Sequence, residues 1–185
     1  MPEIIRHGSL VEDDWQVLRP DPALAPADNE LPVGRVIVPL ASWLERTESL
    51  LARGNVAVWL KGTDDPAAVV PWLDRLPLVA VDFPKFTDGR GYSIAYMLRS
   101  RFGWRGELRA IGDVLPDQVF YMQRVGFDAF AVRPDRSIAT ALKALRTFSE
   151  SYQGSWDNAV PAFRRTARPW PETLGQESVR LRQQG

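Results

Sequence analysis

From Arg35 onward, short apolar runs alternate with amphipathic stretches, the pattern of parallel strands joined by crossover helices. Residues 36–40, 56–60, 78–82, 107–111 and 129–132 read as five strands. Between them, residues 42–53 read as a helix with a capping box, Ser42 and Glu45, and with Gly54 as a left-handed stop. Asp65 and Pro66 suit the N-cap and first turn of a helix reaching about Arg75, which Pro71 can interrupt. Residues 92–102 place Ile94, Ala95, Met97, Leu98 and Phe102 at helical spacing, with Arg99 and Arg101 expected to point outward. A helix over 116–125 stops at Gly126, and one over 137–149 puts Ile138, Ala141, Leu142 and Leu145 on one face.

The flanks differ from this rhythm. Residues 3–18 alternate loosely around His7-Gly8-Ser9 and read as a hairpin. Proline and small or acidic residues then crowd the stretch RPDPALAPADNELP, an extended connection. After Arg165 no regular period is visible, and a mobile tail is expected. The organisation predicted is a hairpin over 1–18, a linker over 19–34, an α/β domain over 35–150 and an irregular tail over 151–185. The fold class is α/β: a mostly parallel, open five-stranded sheet with helices on both faces, plus the N-terminal hairpin. A partial (β/α) barrel is the alternative, because strand-helix alternation does not say whether a sheet curls. A homodimer covering a strand edge is one way to protect that edge.

Composition narrows the function classes. The 185 residues suffice for one domain with a proper core. Lys+Arg and Asp+Glu balance at 23 each, so no overall field draws in nucleic acid or an anionic membrane. Neither nucleic acid nor membrane is an expected partner. The chain has no cysteine, which excludes disulfides, thiolate nucleophiles, cysteine-ligated zinc and iron–sulfur clusters on its own thiolates. An acidic N-terminus without an export signal, and apolar runs of strand length only, place it in the cytoplasm.

Candidate chemistry gathers where strands empty into loops. LPLVAVDF runs into PKFTDGRGYS, and ELRAIG runs into DVLPDQ, so both loops belong at the carboxyl edge of the sheet, where ligands of parallel sheets bind. Lys85, Asp88, Arg90, Asp113 and Gln118 can face one cleft there, with Tyr92 and Ser93 at a helix start. Cations and a helix N-terminus suit a small anion such as phosphate, sulfite, sulfate or carboxylate. The same residues also suit caps, turns and an Arg90–Asp113 tie between loops. No cofactor is predicted: DGRGYS lacks the third glycine of the dinucleotide fingerprint, and no phosphate loop is present. Asp82, Asp88 and Asp113 read as caps and ion-pair partners rather than metal ligands. His7, the only histidine, falls in the hairpin turn. Trp43, Trp59 and Trp72 read as packing residues.

At FPKFTDGRGYS (83–93), GELRAIGDVLPDQ (106–118) and RVGFDAF (124–130) the chain resembles a family of small uncharacterised bacterial proteins described as oxidoreductases of sulfite reduction. The resemblance extends loosely to Asp13-Asp14-Trp15 and stops before the tail. It implies a place in assimilatory sulfite reduction. Reducing sulfite to sulfide takes six electrons, and this chain carries neither cysteine nor a recognisable flavin or nicotinamide motif. The reading that fits both is an accessory protein that docks on sulfite reductase or its electron donor, or that binds a small anion of the pathway. The alternative is an enzyme or cofactor-dependent oxidoreductase acting on a small anionic substrate, with Lys85 or Asp113 as acid or base and Arg90 holding the anion.

Overall fold

The computed structural model describes residues 2–19, 31–147, 153–161 and 164. Most of the expected linker, and the tail from 165, lie outside the described residues.

The five predicted strands all form: β4 (Arg35–Pro39), β5 (Val56–Lys61), β6 (Leu78–Phe83), β7 (Glu107–Gly112) and β8 (Ala129–Phe130). They lie in sequential order and pair in parallel. The sheet has eight strands rather than five. β1 (Glu3–Arg6) and β2 (Ser9–Glu12) form the expected hairpin, and β1 adds antiparallel to β8. The hairpin expected to reach residue 18 ends at Glu12, and β3 (Trp15–Val17) instead adds parallel to β4 at the other edge.

The expectation of helices on both faces is corrected. A right-handed crossover between neighbouring parallel strands always falls on the same face unless the strand order reverses, and here it never does. The crossover helices α1 (Leu40–Arg53), α2 (Arg90–Ser100) and α3 (Val119–Val125) therefore share one layer, and α4 (Ile138–Ala144), which follows β8, packs into the same core through Ala141. Val38, Val58, Val81 and Phe83 pack with Trp43, Ile94, Leu98 and Met122 in the core beneath them. The alternate strand residues Ile37, Ala57, Trp59, Leu78, Ala80 and Ile111 form a second cluster with Trp15 and Val17 and without any helix residue.

That second face is buried because the sheet curls. β2 and β3 are its opposite edges, yet only Asp13 and Asp14 separate them in sequence. Three Cα steps bring Glu12 within about 11 Å of Trp15. The open sheet thus gives way to the partial barrel, with Ile37, Ala57 and Ala80 fully buried inside. Asp13 sits on the link, and the buried Arg109 of β7 donates from Nη1 to both its carboxylate oxygens, at 2.9 and 3.0 Å. Arg109 also donates from Nε to Glu107 at 2.7 Å. Its Nη2 lies equally near Glu107 but outside hydrogen-bond geometry. At the carboxyl end of β6, Arg19 grips Asp82 with two hydrogen bonds, 2.7 and 3.1 Å, and lies over Trp59, whose indole N–H donates to Leu18 O.

Local details follow the chain chemistry, with exceptions. Gly54 and Gly126 take the left-handed conformation at helix ends, and Asp65 caps a 3₁₀ segment, Pro66–Trp72, rather than the α-helix expected there. α1 starts directly after Pro39 with no side-chain cap, so Ser42 and Glu45 form no capping box. Arg99 is buried rather than outward, because four acceptors converge on it, two from the loop after α2 and two from residues 27 and 29 positions on.

Candidate functional site

The loops after β6 and β7 meet on one residue, Phe86. Asp113 Oδ2 accepts the Phe86 N–H at 2.8 Å, and the Gln118 side chain donates to Phe86 O at 2.8 Å. The clamp draws on both motif blocks, since Phe86 belongs to PKFTDGRGYS and its two holders to GDVLPDQ. The Asp113 N–H reaches back to Phe83 O at 2.7 Å, keeping the strand ends in step. Gly112 makes that approach feasible. Its φ is +90°, and a Cβ there would stand 2.5 Å from Phe83 O. The result is a bound backbone carrying an aromatic ring outward, with Phe86 50% exposed. Tyr121 of α3, 56% exposed, packs on Tyr92 with ring centroids 5.2 Å apart. Tyr92 in turn rests edge-on against Phe83 at 5.4 Å, above Gly91, where a Cβ would overlap the Phe83 ring at 2.6 Å.

The charges at this edge are matched locally. Arg90 forks onto Asp88, Nε to Oδ1 at 2.9 Å and Nη2 to Oδ2 at 2.7 Å, while its own N–H donates to Asp88 Oδ1 at the start of α2. The Arg90 guanidinium holds the Asp88 carboxyl down to about 2. Asp113 pairs with Arg133 at 2.7 Å, so the expected Arg90–Asp113 tie does not form. Arg133, with help from the Phe86 N–H, keeps the Asp113 carboxyl below the usual range. Arg133 also forks onto Asp135. Lys85 is exposed and forms no ion pair among the described residues.

Of the predicted site residues, Asp113 and Gln118 converge as a clamp, and Tyr92 packs between Phe83 and Tyr121. Asp88 and Arg90 pair with each other and pack against Gly62 of the loop after β5. Lys85 and Ser93 stand exposed without converging on them. Phe86 and Arg133 complete the arrangement and were not singled out by sequence. An aromatic between Pro84 and Gly89 was the available signal for Phe86, whereas Arg133 lies 20 residues from its acid partner.

Chemically, the edge is suited to contact. Asp113, held ionised by its partners, is a weak base for abstracting a proton. Cavities of about 220, 310, 440 and 600 Å³ are lined by described residues, and none has Lys85, Asp88, Arg90 or Asp113 in its wall. Among the described residues, no group of three or more His, Asp or Glu side chains is placed to hold a metal ion, and no helix is long and apolar enough to cross a membrane.

A search of the curated proteins finds no match to the chain. A family model described as "Bacterial protein of unknown function (DUF934)" matches residues 57–163, which span β5 to α4 and contain both loops of the clamp. The chain belongs to that bacterial family.

Proposed function

We propose that this chain is a non-catalytic accessory protein of assimilatory sulfite reduction, docking on sulfite reductase or its electron donor through the Phe86 edge. The observation that carries the docking reading is Phe86 itself: both its backbone groups are held by side chains while its ring stands half in solvent. A ring fixed in this way loses little conformational freedom on binding, the property of interface anchors. Pairwise neutralisation of Asp88, Arg90, Asp113 and Arg133 leaves a polar rim without a strong field, which suits a protein contact better than capture of a free anion. The assignment to sulfite reduction rests on the sequence resemblance, and the non-catalytic reading on the missing thiols.

The test is co-purification from the native host with tagged protein. Phe86→Ala should reduce the recovered sulfite reductase or donor by about tenfold or more, and the thermal midpoint should move little because the ring is exposed. Recovery of every partner by Phe86→Ala and by Asp113→Ala would remove this surface from consideration.

A further inference from the structure

The parallel strands β4 to β7 present their carboxyl ends on one side of the curled sheet, the side on which barrels and open parallel sheets bind their ligands. Leu78, Ala80 and Asp82 alternate along β6 onto the inner face, which puts the Asp82 carboxylate at the rim of this mouth. Gly112 clears its space, since a Cβ there would stand 2.6 Å from Asp82 Oδ1. Trp59, on the inner face of the neighbouring strand β5, is held by the bond from its indole N–H to Leu18 O. Lys61, the Cα partner of Asp82 on β5, pairs with Asp64 at 3.9 Å.

One side chain fills the space between carboxylate and ring. Arg19 donates to both oxygens of Asp82, at 2.7 and 3.1 Å, and its guanidinium lies 5.7 Å from the centre of the Trp59 ring. The burial of this pair is lopsided: the aspartate side chain is 6% exposed and the arginine 53%. Where an arginine serves the interior of this fold, as Arg99 and Arg109 do, it is itself buried. Arg19 instead enters from solvent, one residue beyond Leu18, whose N–H bonds Ile37 O on β4 at 2.9 Å. A buried carboxylate, an aromatic ring and a route from solvent are the parts of a site for an organic cation. An ion pair whose cation is this exposed holds its occupant only weakly.

We infer that the carboxyl mouth of the curled sheet binds a ligand bearing a guanidinium or primary ammonium group, on Asp82 and Trp59, and that Arg19 is the tethered occupant such a ligand displaces. The tether gives Arg19 an effective concentration on the order of millimolar, so the site answers only to ligands that bind well or are abundant. The inference does not rest on the docking reading, which concerns the Phe86 loop.

The experiment removes the occupant and supplies its head group in solution. Arg19→Ala should melt below the unaltered chain, because it strands the Asp82 carboxylate. Methylguanidinium and methylammonium are titrated into it against tetramethylammonium, which carries the charge without an N–H donor. A probe at about ten times its dissociation constant should raise the Arg19→Ala midpoint by about 3–5 °C over that control. Which probe acts tells guanidinium from ammonium. Arg19→Ala with Asp82→Asn should show no rise, whereas Arg19→Ala with Phe86→Ala should keep it. In the unaltered chain, the Trp59 indole N–H signal, assigned with Trp59→Phe, should move in NMR as a probe displaces Arg19 at about 200 mM. The inference is overturned if neither probe exceeds the control at about 50 mM, or if the Asp82→Asn background keeps the rise. Should Arg19→Ala not fold, the NMR titration decides: an indole signal that only follows the tetramethylammonium control overturns the inference.

Discussion

Replacing Asp13 with alanine tests what holds the curled sheet shut. Asp13 lies on the two-residue link between the sheet's opposite edges and is 9% exposed, and its partner Arg109 is 1% exposed. Taking one member from a buried ion pair costs about 3–5 kcal/mol, because the remaining charge stays in the interior uncompensated. Arg109 keeps Glu107 at 2.7 Å, which points to the lower end, about 3 kcal/mol. For a chain of this size each kcal/mol moves the melting midpoint by about 2–4 °C, so Asp13→Ala should lower it by about 6–12 °C. Urea unfolding followed by tryptophan fluorescence gives the free energy directly, and hydrogen exchange at the amides of β3 reports whether the edge frays first. Replacing the pair together, Asp13→Leu with Arg109→Met, removes the stranded charge and should recover at least half of the loss. A cost for Asp13→Ala below about 1 kcal/mol, the range of exposed ion pairs, would refute the idea that this pair closes the sheet.

Further outcomes follow from the same geometry. Gly112→Ala should destabilise by about 2–3 kcal/mol in urea titration, because the new Cβ meets Phe83 O at a backbone angle that side chains avoid. Arg99→Met should cost about 3 kcal/mol by the same measurement, since three carbonyls and Asp128 lose their donor. On acidification, Asp88, Asp113 and Asp135 all titrate below the ordinary carboxylate range, held there chiefly by Arg90 and Arg133. Such groups stabilise the fold while ionised, so the melting midpoint should stay level above about pH 5 and fall between about pH 4 and 2. Arg133→Gln should flatten part of that fall, and carboxyl NMR should find Asp88 titrating at about 2.

The strands were legible because each is a short apolar run bounded by polar or glycine residues, and local chemistry also placed the stops at Gly54 and Gly126 and the cap at Asp65. The loop edge was legible too, as two polar segments following β6 and β7, and Asp113 and Gln118 do meet there. Their purpose was not, because hydrogen bonds spanning 27 and 32 residues leave no mark in local pattern. Arg99 shows the same limit: its helical position reads as outward, and only acceptors up to 29 residues away make its burial favourable.

What the sequence by itself determined is therefore most of the elements, their order along the chain, and the chemistry the chain lacks. Alternation of strand and helix, backbone freedom at glycine, and the absence of cysteine are properties of neighbouring residues, and they hold wherever the elements end up. Whether the sheet lies open or curls depends on which strands become neighbours. Ile37 and Val38 are both apolar, and nothing in either says which faces the helices. Only the tertiary structure decided that, through a sequential order of β4 to β8 that sends the crossovers between them to one side, a two-residue link that draws the edges together, and the Asp13–Arg109 pair buried at the join.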